Sequence, residues 1–554
     1  MALFRAYGVR DTKVPTYFIE STAPSNVDDP PEPPPAMPAR LFPIDPDLAI
    51  EDIAKTLSET GAPNLVIMVH GFNEPQKSVL EFYAAASAAI ERDPHIAGRP
   101  GLVCVGYRWP SEAMGTPWPS WRSALPTMAT WLGRLGLFIL LLGAVLTSLW
   151  PLWHVAAWFD PALHSWAARL APGPSIECAL SVAGHVLAMT GLLLAGLIGC
   201  AILLRIIVYF RDGYRATNYG APDLIEIVRQ IDNKIVMHDR TQQRIARAQN
   251  RVALSFIGHS MGGYVVTNAI RVLSDVFAID AVRPRLNAGV VNTENEASFS
   301  DASAPDLSPH IGHAFNLMRL VLASPDIPAE ALISNRANFL QASLRRFREA
   351  YLFSNEGDEV LRQISTVANY FSFPTKSWKF GFRLGNVEIL SSAYGIIAVP
   401  RPLILATLRI GFYTLQQIYD RLLAVRAPGG DRDVWQDKLA ERFSYFDCTD
   451  YVDTDNNGVV RSLLTFALRL KRNNPAARMN WHQHLRLLWT YLRTMKPNVH
   501  AGYFEGLLSQ QLIYRLACLG YADTIAAYGG LQVLSDACQD KQIRVLLSPG
   551  LHRP

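Results

Sequence analysis

Charge is scarce in this chain. Asp, Glu, Lys and Arg make up 18% of its 554 residues, against ~25% in a typical soluble domain. Neither sign dominates: 52 basic side chains face 48 acidic ones, the net charge is +4, and there is no long basic run. Nucleic acid, which is held by clustered Lys and Arg, is therefore not an expected partner. Cysteine is sparse too. The six lie at 104, 178, 200, 448, 518 and 538, none in a C-x-x-C. That argues against a disulfide framework or a zinc site and for buried free thiols. There is no Walker loop, G-x-G-x-x-G or H-E-x-x-H, so neither a phosphate cradle nor a metalloprotease helix is indicated. Asp453–Gly458 opens like a calcium loop, but position twelve is Leu464, where a bidentate Glu is needed. It reads as a polar turn. The opening MALFRAYGVR lacks a basic stretch followed by an apolar core, so no signal peptide is expected.

What the chain does have is concentrated hydrophobicity. No Asp, Glu, Lys or Arg occurs from Leu135 to Phe159 or from Cys178 to Leu204. Each run exceeds the ~20 residues that cross a bilayer core. Trp131, Trp150, Trp153, Trp158 and Trp166 gather near the ends of the first run, as an interfacial belt does. A transmembrane hairpin is expected; a buried helical hairpin or an oversized lid is the alternative. Arg122 and Arg134 precede the pair and Arg205, Arg211 and Arg215 follow it, while the 160–177 loop carries only Asp160, Arg169 and Glu177. The positive-inside rule then puts both long flanks in the cytoplasm. His185, inside the second run, reads as a packing residue rather than a proton relay.

The rest of the chain alternates strand and helix patterns. Phe4–Val9 and Val14–Glu20 are β-like, and a proline-dense connector covers 23–43. NLVIMV at 64–69 is a buried strand, Lys77–Glu91 an amphipathic helix and Leu102–Tyr107 another strand. That order implies a parallel sheet with right-handed crossovers. Later strands are expected at Val252–Ile257, Leu317–Ala323 and Glu349–Phe353, with helices over 222–235 and 239–250. Residues 389–425 read as a pair of cap helices or a membrane-surface segment, and the part beyond ~430 reads as mostly helical.

Chemistry enters at Gly258-His259-Ser260-Met261-Gly262. This G-x-S-x-G, between an apolar strand and a helix, predicts a nucleophile elbow that lifts the Ser260 hydroxyl clear of the backbone. A bland tight turn is the alternative. His70-Gly71-Phe72-Asn73 follows the strand 64–69 directly. The Phe72 N–H there, with the Met261 N–H, is the expected oxyanion hole. His70 and His259 read as structural.

Taken together, VHGFN, GYRWPS at 106–111, GHSMGG and LASPDIPAE at 322–330 resemble the α/β-hydrolase superfamily. More narrowly they resemble a bacterial branch with VHGxN and WPS motifs. The resemblance covers residues ~60–125 and ~215–390, and RLGN at 383–386 belongs to it. It implies a central, mostly parallel sheet and the order Ser, acid, His. Asp358, in the loop after the strand EAYLF, sits where the family places its acid. Asp326 in ASPDIPAE is the alternative and Glu356 a third. Among His482, His484, His500 and His552, the base is expected at His500. It lies on a loop with small neighbours, ahead of Tyr503-Phe504, as in the family's H-x-x-Y-F.

The implied organisation has five parts: 1–125, the first part of the hydrolase domain; 130–210, the membrane hairpin; 215–388, its second part; 389–490, a helical cap or membrane-surface region; and 491–554, carrying the histidine. The implied protein is a membrane-anchored serine hydrolase acting on esters or lipid-like substrates without a cofactor, in a bacterial inner membrane with its catalytic domain cytoplasmic. A hydrolase-shaped binding or scaffold protein is the alternative.

Overall fold

The computed structural model describes residues 3–24, 38, 40–111, 208–239, 251–276, 310–328, 343–344, 346–358, 360–365, 383–389, 397–400, 412–414, 442–454, 460–462 and 500–548. The chain divides into two units, Met1–Ala113 with Tyr209–Pro554, and Met114–Val208. The first unit is described below; both charge-free runs lie outside the described residues. Among the described residues, no helix is long and apolar enough to cross a membrane.

The first unit is an α/β fold around one mixed, mostly parallel sheet. Its strands are β1 (Phe4–Val9), β2 (Thr16–Ser21), β3 (Leu41–Ile44), β4 (Asn64–Val69), β5 (Leu102–Arg108), β6 (Val252–His259), β7 (His310–Ile311), β8 (Phe315–Ala323) and β9 (Glu349–Ser354). After β10 (Glu388–Ile389), β11 (Ile397–Pro400) and β12 (Phe412–Thr414), which form a small antiparallel sheet, β13 (Phe443–Asp447) returns to the main one. A hairpin of β14 (Val452–Thr454) and β15 (Val460–Ser462) follows, and β16 (Arg544–Leu546) closes an edge. Ten strands run in the order β16-β13-β9-β8-β6-β4-β5-β2-β1-β3, with β7 paired to β8 off this path.

From β2 to β13 every neighbouring pair on that path is parallel. Parallel strands are covered on both faces, so they read as unbroken apolar runs. In β4 the alternation is plain: Leu65, Ile67 and Val69 join one core, Val66 and Met68 the other. Helices Pro46–Glu59, Ala221–Asp239 and Met261–Val276 pack on the first face, and Gln76–Arg92 and Leu507–Cys518 on the second. The helix Pro46–Glu59 starts where Asp45 caps it, its carboxylate accepting from the Asp47 and Leu48 N–H groups, with proline at the first helical position. Register brings Val69 beside Gly258, His259 beside Ala323, and Ala323 beside Phe353. The carboxyl ends of β4, β6, β8 and β9 therefore open at one edge.

Of the two readings of 389–490, a helical cap or a membrane-surface region, the helical one does not hold where that stretch is described. Residues 397–400, 412–414, 443–447, 452–454 and 460–462 are all strand. Short runs such as IAVP, FYT and FSYFD have no length in which a helical period can separate from a strand, and their β-branched and aromatic residues favour the latter. Beyond residue 500 the helical expectation matches, with helices 507–518, 521–528 and 531–540. The helix expected over 222–235 is present as Ala221–Asp239; beyond Asp239, the helix expected over 239–250 lies outside the described residues.

Candidate active site

Ser260 leaves β6 and enters the helix Met261–Val276 with φ +54°, a conformation that costs a non-glycine residue about 1–3 kcal/mol. Three backbone bonds of 3.0 Å hold it: its N–H donates to the Ala323 carbonyl, and its carbonyl accepts from the Gly263 and Asp326 N–H groups. Gly262 permits the turn, since a Cβ there would collide with the Val69 and His70 carbonyl oxygens. Met261 begins the helix, so its N–H is one of the four that an α-helix leaves without an intrahelical acceptor.

The loop after β4 lies against the serine. A Cβ on Gly71 would stand 2.9 Å from the Ser260 Cβ and 3.4 Å from its Oγ. His70 fixes this loop. Its Nε2 lies 3.2 Å from the Trp109 N–H, which can only donate, so the proton sits on Nδ1 and is given to the Gly71 carbonyl at 2.7 Å. The ring stacks on Trp109, and burial, aided by Arg108, drives its pKa down to about 3. It is a neutral brace. Phe72, next in the chain, stands edge-on to the rings of His500, 6.3 Å away, and Tyr209, 5.8 Å away.

Asp358 follows β9 and is fully buried. One oxygen accepts the Val360 and Leu361 N–H groups, each at 3.1 Å; the other accepts the Ser324 hydroxyl and, at 2.7 Å, His500 Nδ1. With four donors on the carboxylate the ring orientation is fixed, and Nε2 is left as the reactive nitrogen. Asn386 of RLGN steadies the same loop by donating to the Asn355 and Asp358 carbonyls at 3.0 and 3.1 Å. Burial disfavours a charge on His500, but Asp358, together with Asp326 and Glu74, outweighs it and raises the pKa above the ordinary value.

Asp326 has other partners. Its carboxylate accepts the Ser365 hydroxyl at 3.0 Å and pairs with the Arg383 guanidinium at 3.1 Å. Glu356 is buried, with its N–H on the Thr449 hydroxyl at 3.0 Å. Of the three acids weighed from the sequence, the one within hydrogen-bond reach of His500 is Asp358. His482, His484 and His552 lie outside the described residues.

Ser260 Oγ and His500 Nε2 are both buried and, among the described residues, neither has a hydrogen-bond partner. Ser260 itself has no exposed surface, whereas the His500 side chain is 14% exposed. The solvent side of the cluster is therefore the histidine.

Of three residues that support this arrangement, Ser324 was not singled out from the sequence, while His259 and Asp453 were named there without these contacts. His259 donates from Nε2 to the His500 carbonyl at 3.0 Å and packs its ring 5.0 Å from that of His500. Burial, then the neighbouring His500, takes its pKa down to about 3. Ser324, at φ +45°, bonds Asp358, and the Tyr503 hydroxyl reaches Ser324 at 3.5 Å. Asp453, from the abandoned calcium-loop motif, accepts the Leu508 N–H and the Tyr451 hydroxyl at 2.7 Å each, anchoring the helix that follows the His500 loop. Only the motif positions could have flagged these residues; the Ser324–Asp358 and His259–His500 partners lie 34 and 241 residues apart. Among the described residues no group of three or more His, Cys, Asp or Glu could hold a metal ion.

No protein-family model, curated protein or solved structure matches this chain.

Proposed function

We propose that this chain is a membrane-anchored serine hydrolase of the α/β-hydrolase type that cleaves carboxylic esters through an acyl-Ser260 intermediate. The observation that carries the reading is the 2.7 Å Asp358–His500 pair at the same sheet edge as a serine held at φ +54°. The strand order supports it: the serine follows a central parallel strand, and the acid follows the strand two places further along the sheet.

In this mechanism neutral His500 Nε2 takes the Ser260 proton as Oγ attacks the ester carbonyl carbon. The Phe72 and Met261 N–H groups receive the resulting oxyanion; losing one such donor typically costs about 3 kcal/mol. Asp358 stabilises the imidazolium. The carbon–oxygen bond to the leaving group then breaks, and the departing alkoxide takes the proton from Nε2. Water, deprotonated by the same nitrogen, attacks the acyl-enzyme and releases the acid and Ser260. No cofactor is assigned to any step.

The charge-free runs 135–159 and 178–204 are the basis for a two-span anchor, with both flanks cytoplasmic in a bacterial inner membrane. That location favours a lipid-like or acyl-chain ester. Labelling by a fluorophosphonate probe that is lost in Ser260→Ala, with turnover across esters of rising chain length, tests the chemistry. Because Ser260 has no exposed surface, failure of the intact protein to label would mean the hydroxyl is sealed and the protein binds rather than cuts. A cysteine in the 160–177 loop that reacts only from the cytoplasmic side would reverse the orientation.

A further inference from the structure

The loop after β4 has three successive residues in contact with the chain on either side of the stretch 112–207. Phe72 stands edge-on to Tyr209 at 5.8 Å. The Asn73 N–H donates to Asp212 Oδ2 at 3.0 Å. The Glu74 N–H donates to Ser111 Oγ at 3.0 Å, and that hydroxyl lies 3.4 Å from the Glu74 carbonyl. Ser111 is the last described residue before the stretch and Tyr209 and Asp212 are among the first after it. The contacts are thus made by residues nearly a hundred positions apart.

Both polar partners are rigid. Ser111 and Asp212 are fully buried. Arg108, in a buried ion pair with Glu20 at 2.5 Å, donates to the Ser111 carbonyl at 3.3 Å. The other oxygen of Asp212 meets Arg211 at 3.1 Å and Arg215 at 3.5 Å. Asn73 needs such support, since its φ is +60° and a left-handed residue reverts to commoner conformations unless its surroundings over-determine it.

We propose that Ser111 and Asp212 are positioning residues for the oxyanion hole. By pinning the peptide groups of residues 73 and 74, they hold the Phe72 N–H where the developing oxyanion arrives. The proposal rests on the hydrolase reading above for its catalytic consequence, but the clamp itself is a structural property that can be measured without turnover. Neither residue touches substrate; each acts through the loop.

Ser111→Ala removes one hydroxyl and leaves no buried charge behind, so it is the principal test. Misplacement of a catalytic group by about 1 Å can cost on the order of 100-fold in rate, and loss of one clamp is expected to lower kcat at least about tenfold with KM nearly unchanged. Asp212→Ala is expected to lower kcat further. Asp212→Asn, whose amide oxygen still accepts the Asn73 N–H, is expected to restore most of it. Hydrogen–deuterium exchange over residues 70–76 supplies the readout that needs no activity: exchange rises in Ser111→Ala and Asp212→Ala and returns toward wild type in Asp212→Asn. Should Asp212→Ala fail to fold, Ser111→Ala carries the test alone. Unchanged kcat together with unchanged exchange in a folded Ser111→Ala overturns the proposal, as does a rise in KM with kcat intact. If wild-type protein neither labels nor turns over while the exchange pattern holds, the hydrolase reading fails and the clamp stands.

Discussion

Two buried aspartates follow adjacent strands of one sheet, and they are put to different uses. Asp326 follows β8 and faces Arg383 and Ser365; Asp358 follows β9 and faces His500 and Ser324. Both are almost wholly removed from water, so each carboxylate requires compensation. Arginine supplies a permanent charge and makes Asp326 a structural tie. Histidine supplies a partner whose protonation can change, which in the proposed mechanism makes Asp358 part of a proton-handling pair. Residue type and place in the topology are shared. The partner decides the role.

Exchanging each carboxylate for an amide breaks the comparison most sharply. Asp358→Asn is expected to lower kcat by about 10⁴-fold, as loss of the orienting acid does in comparable triads, with a modest change in thermal stability. Asp326→Asn leaves the Arg383 charge buried without its partner, so a destabilisation of about 3–5 kcal/mol is expected while the folded fraction keeps most of its turnover. Steady-state kinetics beside thermal melts separate the two. A greater kinetic loss in Asp326→Asn, with an undisturbed melt, would interchange the assignments.

A second prediction concerns pH. With the His500 pKa raised by Asp358 against the effect of burial, the acidic limb of kcat/KM should lie above the ordinary histidine value of about 6.5 and move down in Asp358→Asn. The imidazolium–Asp358 contribution to stability is fully present below about 6.5 and is lost as pH rises through the folded pKa. His70 and His259 act in the opposite sense. Their folded pKa values of about 3 keep them neutral, so acidification below about 6.5 favours the unfolded chain, which takes up protons there. Denaturant titrations across pH would show both slopes, and a pH–rate limb at or below the ordinary value would contradict the pairing.

Smaller effects test the supports. His259→Phe keeps a ring beside His500 and removes the bond to its carbonyl, so kcat is expected to fall about fivefold, one lost hydrogen bond being worth about 1 kcal/mol. Asp45→Ala, at a helix cap remote in function from both aspartates, should cost about 1 kcal/mol of stability and leave kcat alone. A kinetic effect there would mean that helix capping on the far layer is coupled to the site.

Much of this was legible because some signals are local. The apolar runs of β4, β5, β6 and β8 are long enough to be read as buried strands, and G-x-S-x-G carries its own steric reason, since Gly262 has no room for a Cβ. The helical reading of 389–490 failed where that stretch is described, because strands of three to five residues hold less than two helical turns of pattern. Ser324 was invisible as a functional residue: nothing in SPD announces that its hydroxyl reaches an oxygen 34 positions later. His259 was read as structural, but its partner was not legible, since its bond to residue 500 spans 241 positions.

The sequence by itself determined the class of layer, the turn that strains Ser260 and the small set of acids and histidines from which a relay could be drawn. These depend on sterics and burial within a few neighbouring residues. Only the tertiary structure decided which aspartate meets the histidine and which meets the arginine. That choice rests on the alignment of strand ends across the sheet, and a hydrogen bond, whose strength vanishes within about an ångström of misplacement, is settled only when those ends meet.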